Sequence, residues 1–165
     1  MSTVLPFVLA AMNSIAPARD HAELGNAIAV VVDDHRALIP GDDDKTQTAA
    51  LLVAVAYRES TLSNDAIGDN GTSHCAFQIN LPGTARTIEG WSGSDLRSDP
   101  SKCVGVAFRM LVQSARIDPR APIAFYARGP RWKGDVAQRI SRDRVALSRR
   151  IHADALVALA KETEQ

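Results

Sequence analysis

"LLVAVAYRESTLSND", Leu51 to Asp65, sets the fold problem for this chain. Apolar residues fill every position from Ala49 to Tyr57, so a helix here is apolar all round and not along one stripe. A helix of that kind belongs at the centre of a domain. The apolar run then ends on Arg58-Glu59-Ser60. A carboxylate at that end meets two effects: apolar surroundings disfavour its charged form, and so does the negative pole of the helix dipole. A carboxylic acid kept protonated near neutral pH is a proton donor. The other reading is a structural ion pair between Glu59 and Arg58 or another arginine, and position alone does not choose between them.

Outward from this helix, the pattern is mostly helical. "MSTVLPFVLAAMNSIAPA" has the apolar middle and small-residue end of a signal peptide, but it has no Lys or Arg before Arg19, and Pro6 interrupts it. It reads as a first helix. Asp20 to Leu38 reads as a second, stopped by Pro40-Gly41. "GDDDK" is a turn that brings acidic residues to the start of the helix Lys45–Arg58; its spacing does not fit a calcium loop of the EF-hand type. Asp65 to Ser73 carries Gly68-Asp69 and Asn70-Gly71, the punctuation of a short hairpin. Phe77 to Ile79 is expected to open another helix, and Ile88 to Lys102 to be a loop. Asp99-Pro100-Ser101 is the start signal for an apolar helix over Val104–Ala115. Ile123 to Tyr126 begins a short helix that Gly129-Pro130 stops, and Asp135 to Leu159 reads as a last, long one.

Length and composition set the class. At 165 residues, with 45% hydrophobic and 23% charged residues, the chain suits a single globular domain. The expected division is N-terminal helices over 1–44, a core over 45–132 and a helical region over 133–165. Formal net charge is zero, which gives no reason to expect a nucleic-acid partner. Charge is uneven, however. Arg128, Arg131, Lys133, Arg139, Arg142, Arg144, Arg149 and Arg150 stand against Asp135 and Asp143, which makes a solvated helix face or a surface for an anionic polymer. The longest apolar runs fall short of the ~20 residues of a membrane span, so no membrane insertion is expected. Two cysteines, Cys75 and Cys103, fit one disulfide or two free thiols. Four scattered histidines, with no paired metal-ligand spacing, point to no metal and no cofactor.

Three blocks in order then carry a resemblance: Glu59-Ser60, the run Gly71-Thr72-Ser73-His74-Cys75-Ala76-Phe77-Gln78, and Ala124-Phe125-Tyr126-Ala127-Arg128-Gly129. Between the last two lies "SDPSKCVGVAFRML". Together, over about Ala49 to Pro130, they resemble the soluble lytic transglycosylases and the related goose-type lysozymes. The chain departs from that pattern at Cys75, where the family has glycine, at Ala127, where it has asparagine, and at Cys103, where it often has asparagine.

The resemblance implies a lysozyme-like, mainly α fold (α+β) with a small β-hairpin beside a catalytic cleft. The implied activity is that of a peptidoglycan-degrading enzyme, cutting the β-1,4 bond between N-acetylmuramic acid and N-acetylglucosamine without a cofactor. Glu59 would protonate the leaving oxygen. Ser60, Ser73 and Gln78 would bond sugar hydroxyls and acetamides, and Phe77 and Tyr126 would offer flat apolar surface, the Tyr126 hydroxyl also being free to bond the sugar or Glu59. Turn, cap and core roles are the plainer readings of the same residues. Trp91 and Trp132 fit rim or core better than sugar stacking. With one acid at hand, the expected reaction is a transglycosylation leaving 1,6-anhydromuramoyl ends. Asp69 opens the alternative of an inverting lysozyme-type hydrolase, and a non-catalytic glycan-binding module is the rival from another class. Cys75 and Cys103 are expected to be bonded if the protein matures in an oxidising place. The partner would be peptidoglycan strands, met by a monomer at the bacterial cell wall, in the periplasm or outside the cell. Delivery would be by phage lysis, a virion or a secretion system.

Overall fold

The computed structural model describes residues 2–35, 38 and 45–163. Leu5–Ile15 forms α1, Ala22–Asp34 α2 and Lys45–Ser60 α3. Three two-residue strands follow: β1 (Ile67–Gly68), β2 (Ser73–His74) and β3 (Ile79–Asn80). Gly93–Ser98 forms α4, Pro100–Ile117 α5, Ala124–Arg128 α6 and Asp135–Thr163 α7. The architecture is mainly helical with a small antiparallel sheet of order β1-β2-β3. Among the described residues no helix is long and apolar enough to cross a membrane.

Every residue of α3 from Thr48 to Ala56 is buried. A helix with no polar stripe needs neighbours on all sides, and α1, α2 and α7 provide them. Burying each of Leu51, Leu52, Val53 and Val55 stabilises the fold by about 2 kcal/mol. Phe7, Val8, Ala11 and Met12 of α1 complete the packing, so the apolar N-terminal stretch is a core helix. The last helix, α7, buries only a strip that includes Leu147, Ile151 and Ala155, and leaves Arg139, Arg142, Arg149 and Arg150 exposed. That strip lies along α3.

Several expected boundaries shift. Helix α2 ends at Asp34, not Leu38: His35 is extended, and its Nδ1 donates to the Val31 carbonyl at 2.9 Å while the ring lies tilted against Phe108. Pro40-Gly41 and the aspartates of "GDDDK" lie outside the described residues. Phe77–Ile79 does not open a helix. Cys75 (φ 63°) and Gln78 (φ 49°) take left-handed backbone, which reverses the chain into β3, with the Gln78 N–H donating to the Cys75 carbonyl at 3.1 Å. The expected hairpin is therefore a three-strand meander. The expected loop Ile88–Lys102 holds α4, started by a capping box: Ser92 Oγ accepts from Asp95 N–H and the Asp95 carboxylate accepts from Ser92 N–H. Asp99 caps α5, as its Asp-Pro-Ser signal predicts. Cys75 and Cys103 form a disulfide, with a Cα–Cα distance of 6.2 Å, that ties the meander to α5.

Candidate active site

The end of α3 opens on a cleft of about 450 Å³. Glu59 is one of its lining residues. Asp69, Ser73, Gln78 and Asn80 line one wall, and Phe125, Tyr126 and Ala127 line another. Met110 and Gln113 of α5, with Arg128 and Gly129 at the end of α6, complete the lining. Residues distant in sequence meet here because the β2–β3 turn is bonded to the end of α3 through Ser60 and to α6 through Tyr126, while α6 packs on α5 and α7.

Glu59 is not surrounded by apolar groups alone. Arg144 Nη2 of α7 donates to its Oε1 at 2.6 Å, and both side chains are mostly buried, at 13% exposure for Arg144 and 20% for Glu59. This is the ion pair that the sequence left open as the alternative reading, with Arg144 as the arginine: the basic stretch of α7 turns one side chain inward. Arg58, the neighbour in sequence, stays exposed. The Arg144 Nε–H is buried and has no hydrogen-bond partner among the described residues.

The opposite wall is a hydrogen-bond chain. Ser73 Oγ donates to Asp69 Oδ2 at 2.6 Å, and Asn80 Nδ2 donates to Thr72 Oγ1 at 3.0 Å and reaches Ser73 Oγ at 3.4 Å. Asp69 (φ 49°) and Asn70 (φ 56°) both sit in the left-handed region, an arrangement that short polar side chains tolerate. Gln78 lies across Gly68. A β-carbon at Gly68 would overlap the Gln78 carboxamide oxygen, so glycine is what lets that side chain reach the cleft. Gln78 Nε2 donates to the Cys75 carbonyl at 3.1 Å, which fixes the carboxamide.

Three expected roles change. Phe77 is fully buried and presents no surface to a ligand. Ser60 does not line the cleft. Its Oγ donates to the Ala76 carbonyl at 2.9 Å and accepts from Ser63 N–H at 3.0 Å, stitching the end of α3 to the β2–β3 turn. The Tyr126 hydroxyl is not free: it donates to the Phe77 carbonyl. Burial, and after it the negative charge of Glu59, pushes the Tyr126 phenol well above the ordinary tyrosine range, with Arg144 offsetting part of this. Tyr126 thus remains a neutral phenol beside the carboxylate, and its ring lines the cleft.

Sequence reasoning missed Arg144, Phe125, Met110 and Gln113. Phe125 stood inside a quoted motif beside Tyr126. Met110 and Gln113 are three apart on α5, a spacing that puts them on one helix face. For Arg144 there was no signal beyond its charge. Among the described residues no group of three or more His, Cys, Asp or Glu is placed to hold a metal ion. Trp91 and Trp132 are both half-buried and outside the cleft lining.

No protein-family model matches the chain, and neither a curated protein nor a solved structure matches it.

Proposed function

We propose that this chain is a lysozyme-like enzyme that cuts the β-1,4 bond between N-acetylmuramic acid and N-acetylglucosamine in the bacterial cell wall, as a lytic transglycosylase. The observation that carries the reading is the meeting of Glu59 with Ser73, Gln78 and Tyr126 on one cleft. These residues come from three separate sequence motifs. A mostly buried carboxyl group lining an open, polar-walled cleft suits acid catalysis on a carbohydrate.

In this reaction Glu59, paired with Arg144 in the free protein, first takes a proton from solvent and then gives it to the departing glycosidic oxygen as the bond to the anomeric carbon breaks. The muramic acid 6-hydroxyl then closes on that carbon and returns its proton to Glu59, leaving a 1,6-anhydro ring. No water enters and one carboxylate suffices. Arg144 positions Glu59 and faces the carboxylate that exists between the two transfers. Gln78 and Asn80 present amide groups to acetamides and hydroxyls, and Phe125 presents a ring.

A second reading has its own observation. Asp69 lines the same cleft, exposed and held by Ser73. An inverting hydrolase places a second carboxylate opposite the acid to take a proton from water. Digestion of purified peptidoglycan in ¹⁸O-labelled water, followed by mass spectrometry, separates the readings. Unlabelled 1,6-anhydromuramoyl ends are expected. Labelled reducing muramic acid would replace the transglycosylase by the hydrolase. Binding to walls with no cleavage would make the chain a glycan-binding module.

A further inference from the structure

The outward side of α7 takes no part in the cleft and has a chemistry of its own. Arg139, Arg142, Arg149, Arg150, Leu156 and Val157 are all exposed. Their positions recur at helical spacing, so they share one side of the helix, away from the strip of Leu147, Ile151 and Ala155 that packs inward. Arg144 points the other way, to Glu59. Among the described residues none of these four exposed arginines is ion-paired. Asp143 and Asp154 stand at one edge of the stripe. From Arg139 to Val157 the stripe runs about 27 Å along the helix.

Guanidinium groups without a carboxylate partner are suited to phosphate oxygens, which their planar fork holds two at a time. Leu156 is 47% exposed and Val157 55%, and aliphatic side chains left so open gain when something apolar covers them. A polyanionic polymer would satisfy the arginines and leave this pair in water. The boundary of a bilayer offers both chemistries together: anionic headgroup phosphates for the arginines and acyl chains just beneath for Leu156 and Val157. The formal net charge of the chain is zero, so attraction to such a surface comes from this side of the molecule, which also orients its approach. We propose that the outward face of α7 binds the surface of an anionic bilayer, lying on it and not crossing it. None of the six residues lines the cleft, so the bound face and the candidate active site are separate surfaces. A protein held in this way works at the boundary between membrane and wall.

The test is flotation of the full chain with vesicles of phosphatidylglycerol and phosphatidylcholine, against vesicles of phosphatidylcholine alone. Binding to the anionic vesicles and not to the neutral ones is expected. Arg149→Gln combined with Arg150→Gln should weaken partition about tenfold or more, the scale of two basic side chains at an anionic surface. Leu156→Ser combined with Val157→Ser should also weaken it about tenfold or more, while leaving binding to soluble polyphosphate unchanged. Absence of binding to anionic vesicles, or equal binding to neutral ones, overturns the proposal. Vesicle binding that survives the loss of Leu156 and Val157 would make the face a site for polyanions and overturns it too. Hydrogen exchange of the wild type gives a readout free of any substitution. Anionic vesicles should slow exchange over Arg149–Ala160, and slowing confined to other segments excludes this face. None of these arms reads catalysis, so failure here and failure of the wall-cutting assignment are distinguishable.

Discussion

Glu59 and Asp69 face one cleft and are held there by opposite means. Glu59 ends a helix buried along its length, and its carboxylate meets a mostly buried guanidinium from the last helix. Asp69 sits on an exposed turn of left-handed backbone, and its carboxylate meets a serine hydroxyl four residues on. The first depends on packing between elements far apart in the chain. The second is almost wholly local. Two carboxylates so differently mounted are suited to different tasks: a proton donor must be rigid and shielded, whereas a carboxylate in water can activate a water molecule or merely shape its turn.

The sharpest way to break this contrast is to remove the proton of Glu59. Glu59→Gln keeps the shape of the side chain, and clearing of purified walls, measured by turbidity, is expected to fall by about 10²-fold or more. Wild-type clearing by that variant would end the acid assignment. Next in size is the covalent tie of the Asp69 wall to the rest. Replacing both Cys75 and Cys103 by alanine removes a link across 28 positions of sequence, and urea unfolding is expected to show a loss of about 2–4 kcal/mol. An unchanged midpoint would mean the meander is held by packing alone.

Arg144→Met tests the other mounting. It leaves the Glu59 carboxylate with its counter-charge gone, which is expected to cost on the order of 2–3 kcal/mol, the lower end for a buried pair because both partners keep some exposure. Stability equal to wild type would show that the pair is worth nothing net. Asp69→Asn preserves an acceptor for Ser73, and under the transglycosylase reading activity stays within about tenfold of wild type. A drop of about 10²-fold would make Asp69 the base and bring its role level with that of Glu59.

The smallest expected effect belongs to His74, the β2 residue next to Ser73. Burial, and then the positive charge of Arg97, hold its imidazole below the ordinary histidine range of 6.5. Neutral Nδ1 accepts from Arg97 Nη1 at 2.7 Å. Because the folded state resists the proton more than the unfolded chain does, the stability from this contact is complete above pH 6.5. It declines as the pH falls below that value, toward the lower pH at which folded His74 is protonated. Urea midpoints taken across this fall, for wild type and His74→Gln, should converge at the acid end if the assignment holds. Parallel curves would exclude it.

Much of the fold was legible. Local signals marked α1, α3, α5 and α7, because runs of apolar residues and an Asp-Pro-Ser cap act over a few residues. The β3 strand was missed at Phe77–Ile79, since Cys75 and Gln78 take left-handed backbone with no glycine in the sequence to signal the turn. The α4 capping box was present as Ser92-x-x-Asp95 but hidden within a polar, glycine-containing stretch. For the site, motif order pointed to Glu59, Ser73, Gln78 and Tyr126 together, and the structure does bring them to one cleft. It places Ser60 and Phe77 in the supporting structure, because in a dense core the same residue types serve as staples and filling.

The sequence by itself determined that one helix must be central, that a carboxylate closes it, and that the chain is mainly helical with a short β element. Those are consequences of apolar spacing and of backbone preference, which are written residue by residue. Only the tertiary structure decided that Glu59 meets Arg144 across a separation of 85 residues, and that Tyr126 gives its hydroxyl to the Phe77 carbonyl. Pairings of this kind depend on how α7 packs along α3 and α6 packs on α5 and α7, and α3, apolar all round, carries no pattern along its length to say which arginine will meet its end.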